Sequence, residues 1–517
     1  MWSEQPRGTL VERLLRAVTT RRAHVNRVTV AIMAPPGRQY VEATWSTWLS
    51  GGIAVPLCLT HPASELQYVL EDAQVESILT TQQYASKLQA PAKDLDIDMH
   101  LLEDNHSNSQ ASSAHTAQLF NALSAPNVSQ HEAEQALAGQ LQTIDHTMND
   151  GALLVYTSGT TGRPKGALHT HGSLQAQIQG LCASWAWQKD DRILHALPLH
   201  HVHGIINALY CAHYSGACVE FLPKFSPSAV WDRLKRQEDK ITVYMGVPTM
   251  YSYLLSHYDQ AVEEERQKAR QAAKELRLTV SGSAACPLPI MSKWETLSGD
   301  KLLERYGMTE TGMVVSNPYR GERRPGTVGL PLPGVTVKTA PSDDAGDSQQ
   351  DGPHFREGPG ELLVKGDTLF KEYWNRPDAT ADAFDGDGWF KTGDTAASEG
   401  NPPYWRILGR TSVDIIKSGG YKISALEIEN MLLTHPAVNE CAVVGVEDEV
   451  QGQIVASILT CHPGQEIELE SLQGFAADKL APYQIPKVLR VLDEMPRNAM
   501  GKINKKALVK SVFPKHP

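Results

Sequence analysis

The sequence contains at positions 153–166 the stretch Leu153-Leu154-Val155-Tyr156-Thr157-Ser158-Gly159-Thr160-Thr161-Gly162-Arg163-Pro164-Lys165-Gly166. Its apolar first part predicts a buried strand, and the glycines, hydroxyl residues and lysine that follow can surround a polyphosphate with donors. Lys165 follows a proline and precedes a glycine, so the spacing differs from a Walker loop and does not predict a P-loop NTPase. A short Gly/Thr run is commonly a flexible turn, but ten specified positions in succession favour a binding loop.

Similar apolar runs occur on both sides of this stretch, and each is followed by a turn or a helical pattern. This alternation predicts an α/β fold with largely parallel strands. The runs are residues 28–33, 53–57, 152–157, 193–197, 217–222, 242–247 and 278–281.

Two changes in composition divide the chain. Between residues 328 and 408, short β-like pieces carry many glycines and prolines, and after Arg410 a compact run of helix and strand patterns returns. We therefore predict a large N-terminal domain, residues 1–410, built from parallel-sheet α/β subdomains and a small β-barrel-like subdomain. A small α+β C-terminal domain, residues 411–517, is expected to follow. Polar stretches at residues 103–150 and 341–360 are predicted to be surface insertions.

Composition and charge favour a protein that binds small molecules. The 517 residues include 48 Lys plus Arg against 59 Asp plus Glu, and the net charge of -11 argues against a nucleic-acid surface. The seven cysteines form no CxxC pair, which favours reduced thiols inside a cell. No stretch has the apolar length of a membrane span. The oligomeric state is not predicted.

The location within the cell is open at this point. Six arginines and two glutamates among the first 27 residues faintly resemble an organelle transit peptide, and a basic first helix is the alternative. The mitochondrial matrix and the cytoplasm are both compatible with the sequence.

Further chemistry-bearing segments follow the first stretch in order. Together with it they resemble the adenylate-forming superfamily, which contains acyl-CoA synthetases, luciferases and peptide-synthetase adenylation domains. The segments are Pro198-Leu199-His200-His201-Val202-His203-Gly204, Ser281-Gly282-Ser283-Ala284, Tyr306-Gly307-Met308-Thr309-Glu310, Thr392-Gly393-Asp394, Gly409-Arg410 and Pro496-Arg497-Asn498-Ala499-Met500-Gly501-Lys502.

The resemblance implies a role for each matching residue in binding ATP and Mg²⁺. Glu310 would reach magnesium, Thr309 the α-phosphate, and Lys502 would be the catalytic lysine of a mobile loop. The remaining ATP-binding residues would be Thr157, Ser158, Gly159, Thr160, Thr161, Gly162, Arg163, Pro164 and Lys165 for phosphate, Ser283, Ala284 and Tyr306 for adenine, and Asp394 and Arg410 for ribose.

The resemblance also implies a second half-reaction with coenzyme A. His201 would border the acyl pocket, and the C-terminal domain would rotate to bring Ser418, Gly419, Gly420 and Tyr421 to the CoA tunnel. The segment after Gly409-Arg410 is one residue longer than the common pattern, which leaves Ser412, Val413 and Asp414 as candidates for the hinge.

Each of these residues also has a commoner role when it is taken singly. Asp394 could be a turn residue, Glu310 a helix-start charge and Lys502 a solvated surface lysine. The histidines near His201 could suggest zinc, but no HExxH pattern or cysteine partner accompanies them, so no zinc site is predicted. The joint occurrence of the segments in order favours the functional roles.

Arg305 bears on the choice of acid. A buried guanidinium without an anion costs several kcal/mol, so Arg305 must meet an internal carboxylate or a charged substrate. The segment Glu304-Arg305-Tyr306-Gly307-Met308-Thr309-Glu310, with residues 316–319 and 324–329, resembles malonyl-CoA synthetases. That resemblance implies that Arg305 holds the far carboxylate of the acid, with His201 and His203 as further candidate donors.

The predicted function is therefore an ATP-, Mg²⁺- and CoA-dependent ligase for malonate or methylmalonate. It would form an acyl-adenylate and then the CoA thioester, releasing AMP and pyrophosphate. The alternatives are a short-chain, medium-chain or aryl acyl-CoA synthetase, or a catalytically silent CoA- or nucleotide-binding homologue.

Overall fold

The computed structural model describes residues 28–102, 147–157, 163–340, 355–497 and 503–514, with the side chains of 355–357 excepted. Three predicted features lie partly or wholly outside these ranges. They are the two surface insertions, of which residues 103–146 and 341–354 are not described, and the phosphate loop, of which residues 158–162 are not described. Lys502 and the arginine-rich first 27 residues also lie outside the described ranges.

The first sheet has seven strands and contains the phosphate-loop stretch. In spatial order, the first strand is antiparallel to the second and the second is antiparallel to the third. The third to seventh strands are parallel to one another. In that order the strands are Glu372–Tyr373, Gly166–Thr170, Gly151–Tyr156, Ile53–Pro56, Thr29–Met33, Ser77–Thr80 and Asp98–Leu101. Its helices are Arg38–Leu49, Ala63–Asp72, Gln82–Asp94 and His171–Ser184.

The second sheet repeats this arrangement with seven further strands, five of them parallel. In spatial order they are Leu330–Pro331, Gly312–Ser316, Leu303–Met308, Leu278–Ser281, Val243–Gly246, Arg192–His195 and Cys218–Phe221. Its helices are Cys211–Ser215, Pro227–Leu234, Pro248–Gln260, Glu263–Glu275 and Leu288–Ser298, with a π-helix at His203–Tyr210.

The seven apolar runs of the sequence are all strands, within one or two residues at each end, because buried β-branched and aliphatic residues favour parallel strands. Residues 255–278 are rich in Glu, Lys, Arg, Gln and Ala, which predicts a solvated helix, and the structure differs from this prediction in detail. The helix is interrupted between Pro248–Gln260 and Glu263–Glu275, where Ala261 and Val262 are extended and Val262 is exposed.

Two smaller sheets complete the fold. A four-stranded antiparallel sheet contains Val335–Thr339, Phe355–Gly366, Phe390–Glu399 and Tyr404–Arg410, and it is accompanied by the helix Pro377–Ala383. A five-stranded C-terminal sheet contains Tyr421–Ser424, Ile415–Ser418, Gly452–Cys461, Val438–Asp448 and Val488–Val491. Its helices are Ala425–Leu432, Leu469–Ala477 and Lys505–Val512, with a 3-10 turn at Pro482–Gln484.

The hydrophobic cores follow this division. One large core packs the second sheet against part of the first, whereas the C-terminal sheet is covered on its two faces by separate cores of its own. The predicted α/β architecture, with a small antiparallel β subdomain and an α+β C-terminal part, is confirmed. Across the described ranges we find no helix with the length and apolar character needed to cross a bilayer.

Candidate active site

A cavity of about 1720 Å³ lies where most of the parallel strands of both large sheets end, and the C-terminal helix Ala425–Leu432 borders it. Open α/β sheets commonly bind ligands beyond the carboxyl ends of their strands. The cavity brings together many of the residues singled out in the sequence. Its lining includes Thr157, Lys165, His201, His203, Ser283, Ala284, Arg305, Tyr306, Thr309, Glu310, Asp394 and Arg410.

A carboxylate at the junction of the sheets is held by two neighbours. The Tyr306 hydroxyl donates to Asp394 Oδ2, and Arg410 Nε lies 2.8 Å from Asp394 Oδ1. Gly393 adopts a left-handed φ of 70°, which turns the chain so that the Asp394 carboxylate faces the cavity. Burial raises the pKa of Asp394, while Arg410 and the Tyr306 hydroxyl favour the ionised form. This fixed acceptor matches the expected ribose contact.

The loop after the strand Leu303–Met308 is fixed by residues that sequence reasoning missed. His169 Nε2 donates to the backbone oxygen of Thr309 at 2.7 Å, and burial lowers the pKa of His169 to about 4, so its ring is neutral. The Tyr373 hydroxyl donates to Glu310 Oε1 at 2.8 Å, and Lys165 Nζ lies 4.8 Å from the centre of the Tyr373 ring. Both missed residues lie on strands of the first sheet, so this sheet positions the loop.

Glu310 is the residue that fits a magnesium ion. Mg²⁺ in nucleotide sites is commonly held by one or two carboxylates together with phosphates and water. Glu310 lines the cavity, and one of its two oxygens accepts a hydrogen bond from Tyr373. Among the residues that the structure describes, no cluster of three or more His, Cys, Asp or Glu side chains could hold a metal by itself.

Arg305 lies in the interior of the strand Leu303–Met308 and is 4% exposed. Its Nε and Nη2 have no hydrogen-bond partner, and no ion pair to Arg305 occurs among the described residues. The guanidinium packs against the backbone of Gly282, where an added Cβ would lie 2.4 Å from Arg305 Cζ. Burial lowers the pKa of Arg305 to about 9. The alternative of an internal carboxylate partner therefore finds no support in the described part of the chain.

His203 lies beside Arg305 at the start of the π-helix His203–Tyr210. Its Nδ1 is 3.3 Å from Ser283 Oγ, and its Nε2 is buried without a partner. Burial and then the charge of Arg305 lower the pKa of His203 well below its usual range, so the ring is neutral. A neutral ring can donate one hydrogen bond to a ligand while its other nitrogen meets Ser283.

The segment after Arg410 contains the three hinge candidates, and Asp414 has the most contacts of them. Its Oδ2 accepts from the Arg410 backbone N–H at 2.9 Å, and its Oδ1 pairs with Lys505 Nζ. Lys505 Nζ also lies 2.6 Å from Glu429 Oε1. Asp414 thus connects the end of the small antiparallel sheet to the last helix of the C-terminal part.

Several predicted residues do not meet at the cavity. Gly419 and Gly420, both at left-handed φ, form the turn between the strands Ile415–Ser418 and Tyr421–Ser424, and Tyr421 stacks on Tyr483 with ring centres 4.2 Å apart. None of Ser418, Gly419, Gly420 and Tyr421 is among the described residues that line the cavity.

The phosphate loop is described only at its ends. Arg163 packs over Tyr68, and the Pro164 backbone oxygen accepts a hydrogen bond from the Tyr68 hydroxyl at 2.7 Å. Neither Arg163 nor Pro164 is among the described residues that line the cavity, whereas Lys165 is. Ser158, Gly159, Thr160, Thr161 and Gly162 lie outside the described residues, as does Lys502.

Comparison with known families assigns the chain. Residues 12–374 match the model of the AMP-binding enzymes, and residues 427–502 match the AMP-binding enzyme C-terminal domain. The chain belongs to the AMP-binding enzyme family. The match of the first model extends over more than half of the chain, and the second covers three of the five strands of the C-terminal sheet.

Individual members of the AMP-binding family are similar over nearly the whole chain. The mitochondrial malonate–CoA ligase of Xenopus laevis is 44% identical over 505 residues, covering 94% of this chain and 83% of the relative. The malonate–CoA ligase of Arabidopsis thaliana is 42% identical, covering 93% and 78%. Among solved structures, ATP-bound MatB from Rhodopseudomonas palustris is 31% identical, with a TM-score of 0.78 and coverage of 98% and 93%.

Proposed function

We propose that this member of the AMP-binding family is an AMP-forming ligase that activates malonate or methylmalonate with ATP and transfers the acyl group to coenzyme A. The observation that carries the proposal is the buried, unpaired guanidinium of Arg305 in the wall of the cavity. The names of the relatives support the same acid. The Xenopus and Arabidopsis relatives are malonate–CoA ligases, and one similar structure is a malonyl-CoA ligase holding methylmalonyl-CoA and AMP.

Other buried arginines of the described chain show why Arg305 is exceptional. Arg233 pairs with Glu220 at 2.5 Å, and Arg323 pairs with Asp300 at 2.9 Å. Leaving a buried charge uncompensated costs several kcal/mol, and a substrate carboxylate would remove that cost on binding. A Gly at position 282 gives the guanidinium the space to lie flat against the backbone. Arg305 is therefore suited to a negatively charged group of the acid.

Malonate matches the dimensions of this arrangement. Its two carboxylates are separated by one carbon, so when one carboxylate meets the α-phosphate the other lies only a few ångströms away. Tyr306 and Thr309, expected at the adenine and the α-phosphate, follow Arg305 on the same strand and its loop. Arg305 can donate two parallel hydrogen bonds to the far carboxylate, and His203 Nε2 can add a third. His201 lines the same cavity and is the other candidate donor.

In the first half-reaction the chain has to stabilise negative charge that develops at the α-phosphate. The N–H and O–H donors of residues 157–162, with Lys165, Thr309 and the proposed catalytic Lys502, are of the kind that achieves this by electrostatics and position. A magnesium ion on Glu310 would supply a further positive charge to the phosphates. Tyr306 and Asp394, held together by their hydrogen bond, would fix the adenosine.

For the second half-reaction we infer two domains, residues 1–410 and 411–517, with the hinge at Asp414. The separate cores of the C-terminal sheet support this division, and the contacts of Asp414 with Arg410 and Lys505 support the hinge position. Rotation of the C-terminal domain would withdraw Lys502 and bring the turn Ser418–Tyr421 to the cavity. Gly419, Gly420 and Tyr421 of this turn are exposed, whereas Ser418 is buried, so the tip of the turn is available for such a move.

The assay of choice offers malonate, ATP and CoA to the full chain and measures pyrophosphate and malonyl-CoA. Lys502→Ala sets the background. We expect malonate or methylmalonate to exceed propionate, octanoate and benzoate in kcat/KM by at least about 10²-fold, because the monoacids leave Arg305 unpaired. Preference for a monoacid would favour a short-chain, medium-chain or aryl ligase, and no pyrophosphate above background with any acid would favour a silent homologue.

We also infer an intracellular location, in the mitochondrial matrix or the cytoplasm. The Xenopus relative is named as mitochondrial, and the cysteines of this chain form no CxxC pair. Fusion of residues 1–27 to a fluorescent reporter distinguishes the two compartments. Import of the reporter into mitochondria favours the matrix, and a diffuse signal favours the cytoplasm.

A further inference from the structure

A second group of chemistry-bearing side chains lies in the wall of the same cavity, away from Arg305. Cys58 and Thr60 follow the first-sheet strand Ile53–Pro56, and His200 comes from the loop before the π-helix. His61 is the next residue of the Cys58 loop. Cys58, Thr60 and His200 line the cavity. We call Cys58, Thr60, His61, Glu65 and His200 the thiol cluster.

The geometry of the thiol cluster resembles that of an activated nucleophile. Cys58 Sγ lies 3.2 Å from Thr60 Oγ1, and His61 Nδ1 lies 3.2 Å from Glu65 Oε2. The His61 and His200 ring centres are 6.3 Å apart, and both imidazoles interact with the Cys58 thiol. An imidazole beside a thiol, oriented in turn by a carboxylate, is the arrangement that activates cysteine nucleophiles.

Electrostatics supports this arrangement. Burial alone would raise the pKa of the Cys58 thiol, but hydrogen bonds with His200 and His61, the charge of His200 and the Thr60 hydroxyl lower the pKa to about 4. The hydrogen bond to Cys58 in turn raises the pKa of His61, with the charges of Cys58 and Glu65 adding to it. The surroundings of Cys58 therefore favour the thiolate, and those of His61 favour the protonated ring.

Access to Cys58 is through the cavity. The residue is 7% exposed overall, yet it is part of the cavity lining. A small reagent that enters the cavity can reach the thiolate, whereas a large one cannot. Cys218 makes a contrast, because it is exposed and its sulfur accepts a hydrogen bond from Arg192 at 3.1 Å.

We propose that Cys58 is a nucleophilic thiolate and a covalent modification site for small electrophiles that enter the cavity, hydrogen peroxide among them. With peroxide the sulfur attacks one oxygen, a sulfur–oxygen bond forms and the oxygen–oxygen bond breaks. Cysteine is oxidised by two electrons to sulfenic acid, and peroxide is reduced to hydroxide, which takes up a proton. Thiols reverse the change. The modified side chain would obstruct the cavity and stop ligation.

Labelling with iodoacetamide tests the nucleophile without relying on ligase activity. At pH 5.5 an ordinary thiol of pKa about 8.5 is ionised in about one molecule per thousand, whereas Cys58 stays ionised. The lower basicity of the Cys58 thiolate makes it a weaker nucleophile, which offsets part of this gain in labelling rate. We expect mass spectrometry to find Cys58 labelled about tenfold faster than Cys218 at pH 5.5. Equal or slower labelling of Cys58 would overturn the proposal.

The groups around the thiol provide a matched variant. His61, His200 and Glu65 belong to the cluster, and the His201 ring lies beside that of His200 with centres 4.1 Å apart and planes tilted by 48°. Lys87 Nζ donates to the backbone oxygen of Leu59 at 2.8 Å. His61→Gln keeps a polar side chain but removes the imidazolium. It should slow Cys58 labelling at pH 5.5 about tenfold and leave Cys218 unchanged, and an unchanged Cys58 rate would contradict the role of the cluster.

Inactivation by peroxide gives the functional readout. Wild-type protein treated with hydrogen peroxide should lose ligation in parallel with sulfenic acid at Cys58 and regain it with dithiothreitol. Cys58→Ser should ligate normally and resist peroxide. Loss of activity in Cys58→Ser at the wild-type rate would overturn the proposal. If that variant does not fold, the labelling rates in the wild-type protein decide it.

Discussion

Two cations of this chain that have little solvent exposure differ in their surroundings. Lys505, in the last described helix, lies against Asp414 and Glu429, and these carboxylates raise its pKa although burial alone would lower it. Arg305, in the second sheet, has no carboxylate partner among the described residues, and burial lowers its pKa. Lys505 is compensated within the fold, which indicates a structural role. Arg305 is left uncompensated, which indicates a ligand.

Loss of Lys505 and loss of Arg305 should therefore have different consequences for the protein. Removing one partner from a buried ion pair leaves the other charges without compensation and destabilises the fold. Removing an unpaired cation leaves no protein group without a partner. Stability should therefore respond to Lys505, and substrate selection should respond to Arg305.

The largest effect is expected from Arg305→Met, measured as kcat/KM with malonate and with propionate. Loss of the charge should lower the malonate value by about 10³–10⁴-fold, because polar-matched sites discriminate strongly, and the propionate value by less than about tenfold. The thermal midpoint should stay equal or rise. Arg305→Lys keeps the charge without the planar guanidinium, so its kcat/KM with malonate should lie between the values of the wild-type protein and Arg305→Met. Equal losses for both acids would assign Arg305 a structural role.

Lys505→Met should lower the stability of the fold. It leaves Asp414 and Glu429 buried without their cation, at a cost of about 3–5 kcal/mol. We expect amide hydrogen exchange in the strand Gly452–Cys461 to accelerate by about 10²–10³-fold. The matched control is Lys268→Met, which breaks an exposed pair with Glu264, and exposed pairs contribute little to stability because water screens them. Similar exchange rates in the two variants would contradict a structural role for Lys505.

A smaller effect is expected from Gly282→Ala, which leaves both cations in place. The added methyl group would displace the Arg305 guanidinium rather than backbone, so the fold should survive. We expect malonate kcat/KM to fall about 10–100-fold, with propionate nearly unchanged. Gly474→Ala, which adds a methyl group in open space, is the control. Unchanged malonate activity in Gly282→Ala would contradict a fixed position for the guanidinium.

Local patterns in the sequence were sufficient to predict most of the fold. Strands such as Thr29–Met33 and Leu278–Ser281 are buried on both faces, so their apolar runs are continuous and easily recognised. The interruption at Ala261 and Val262 was missed because the polar composition on both sides is equally helical. The π-helix His203–Tyr210 was missed because its apolar pattern also fits an ordinary buried helix.

The site could be predicted where its residues belong to recognisable local motifs of the sequence. Tyr306, Thr309 and Glu310 form one motif, and the cavity brings them together as expected. His169 and Tyr373 contact this motif through the pairing of distant strands, and no local pattern signals such a contact. For the same reason the sequence left open whether Arg305 has an internal partner.

The most direct test is a crystal structure of the full chain with ATP and malonate, or with a stable malonyl-adenylate analogue. We predict that the far carboxylate of the acid lies about 2.8 Å from the nitrogens of Arg305, with His203 Nε2 as a further donor. Arg305 should then have the partner that it lacks in the present structure. An acid whose far carboxylate points away from Arg305, with the guanidinium paired to a protein carboxylate, would contradict the assignment.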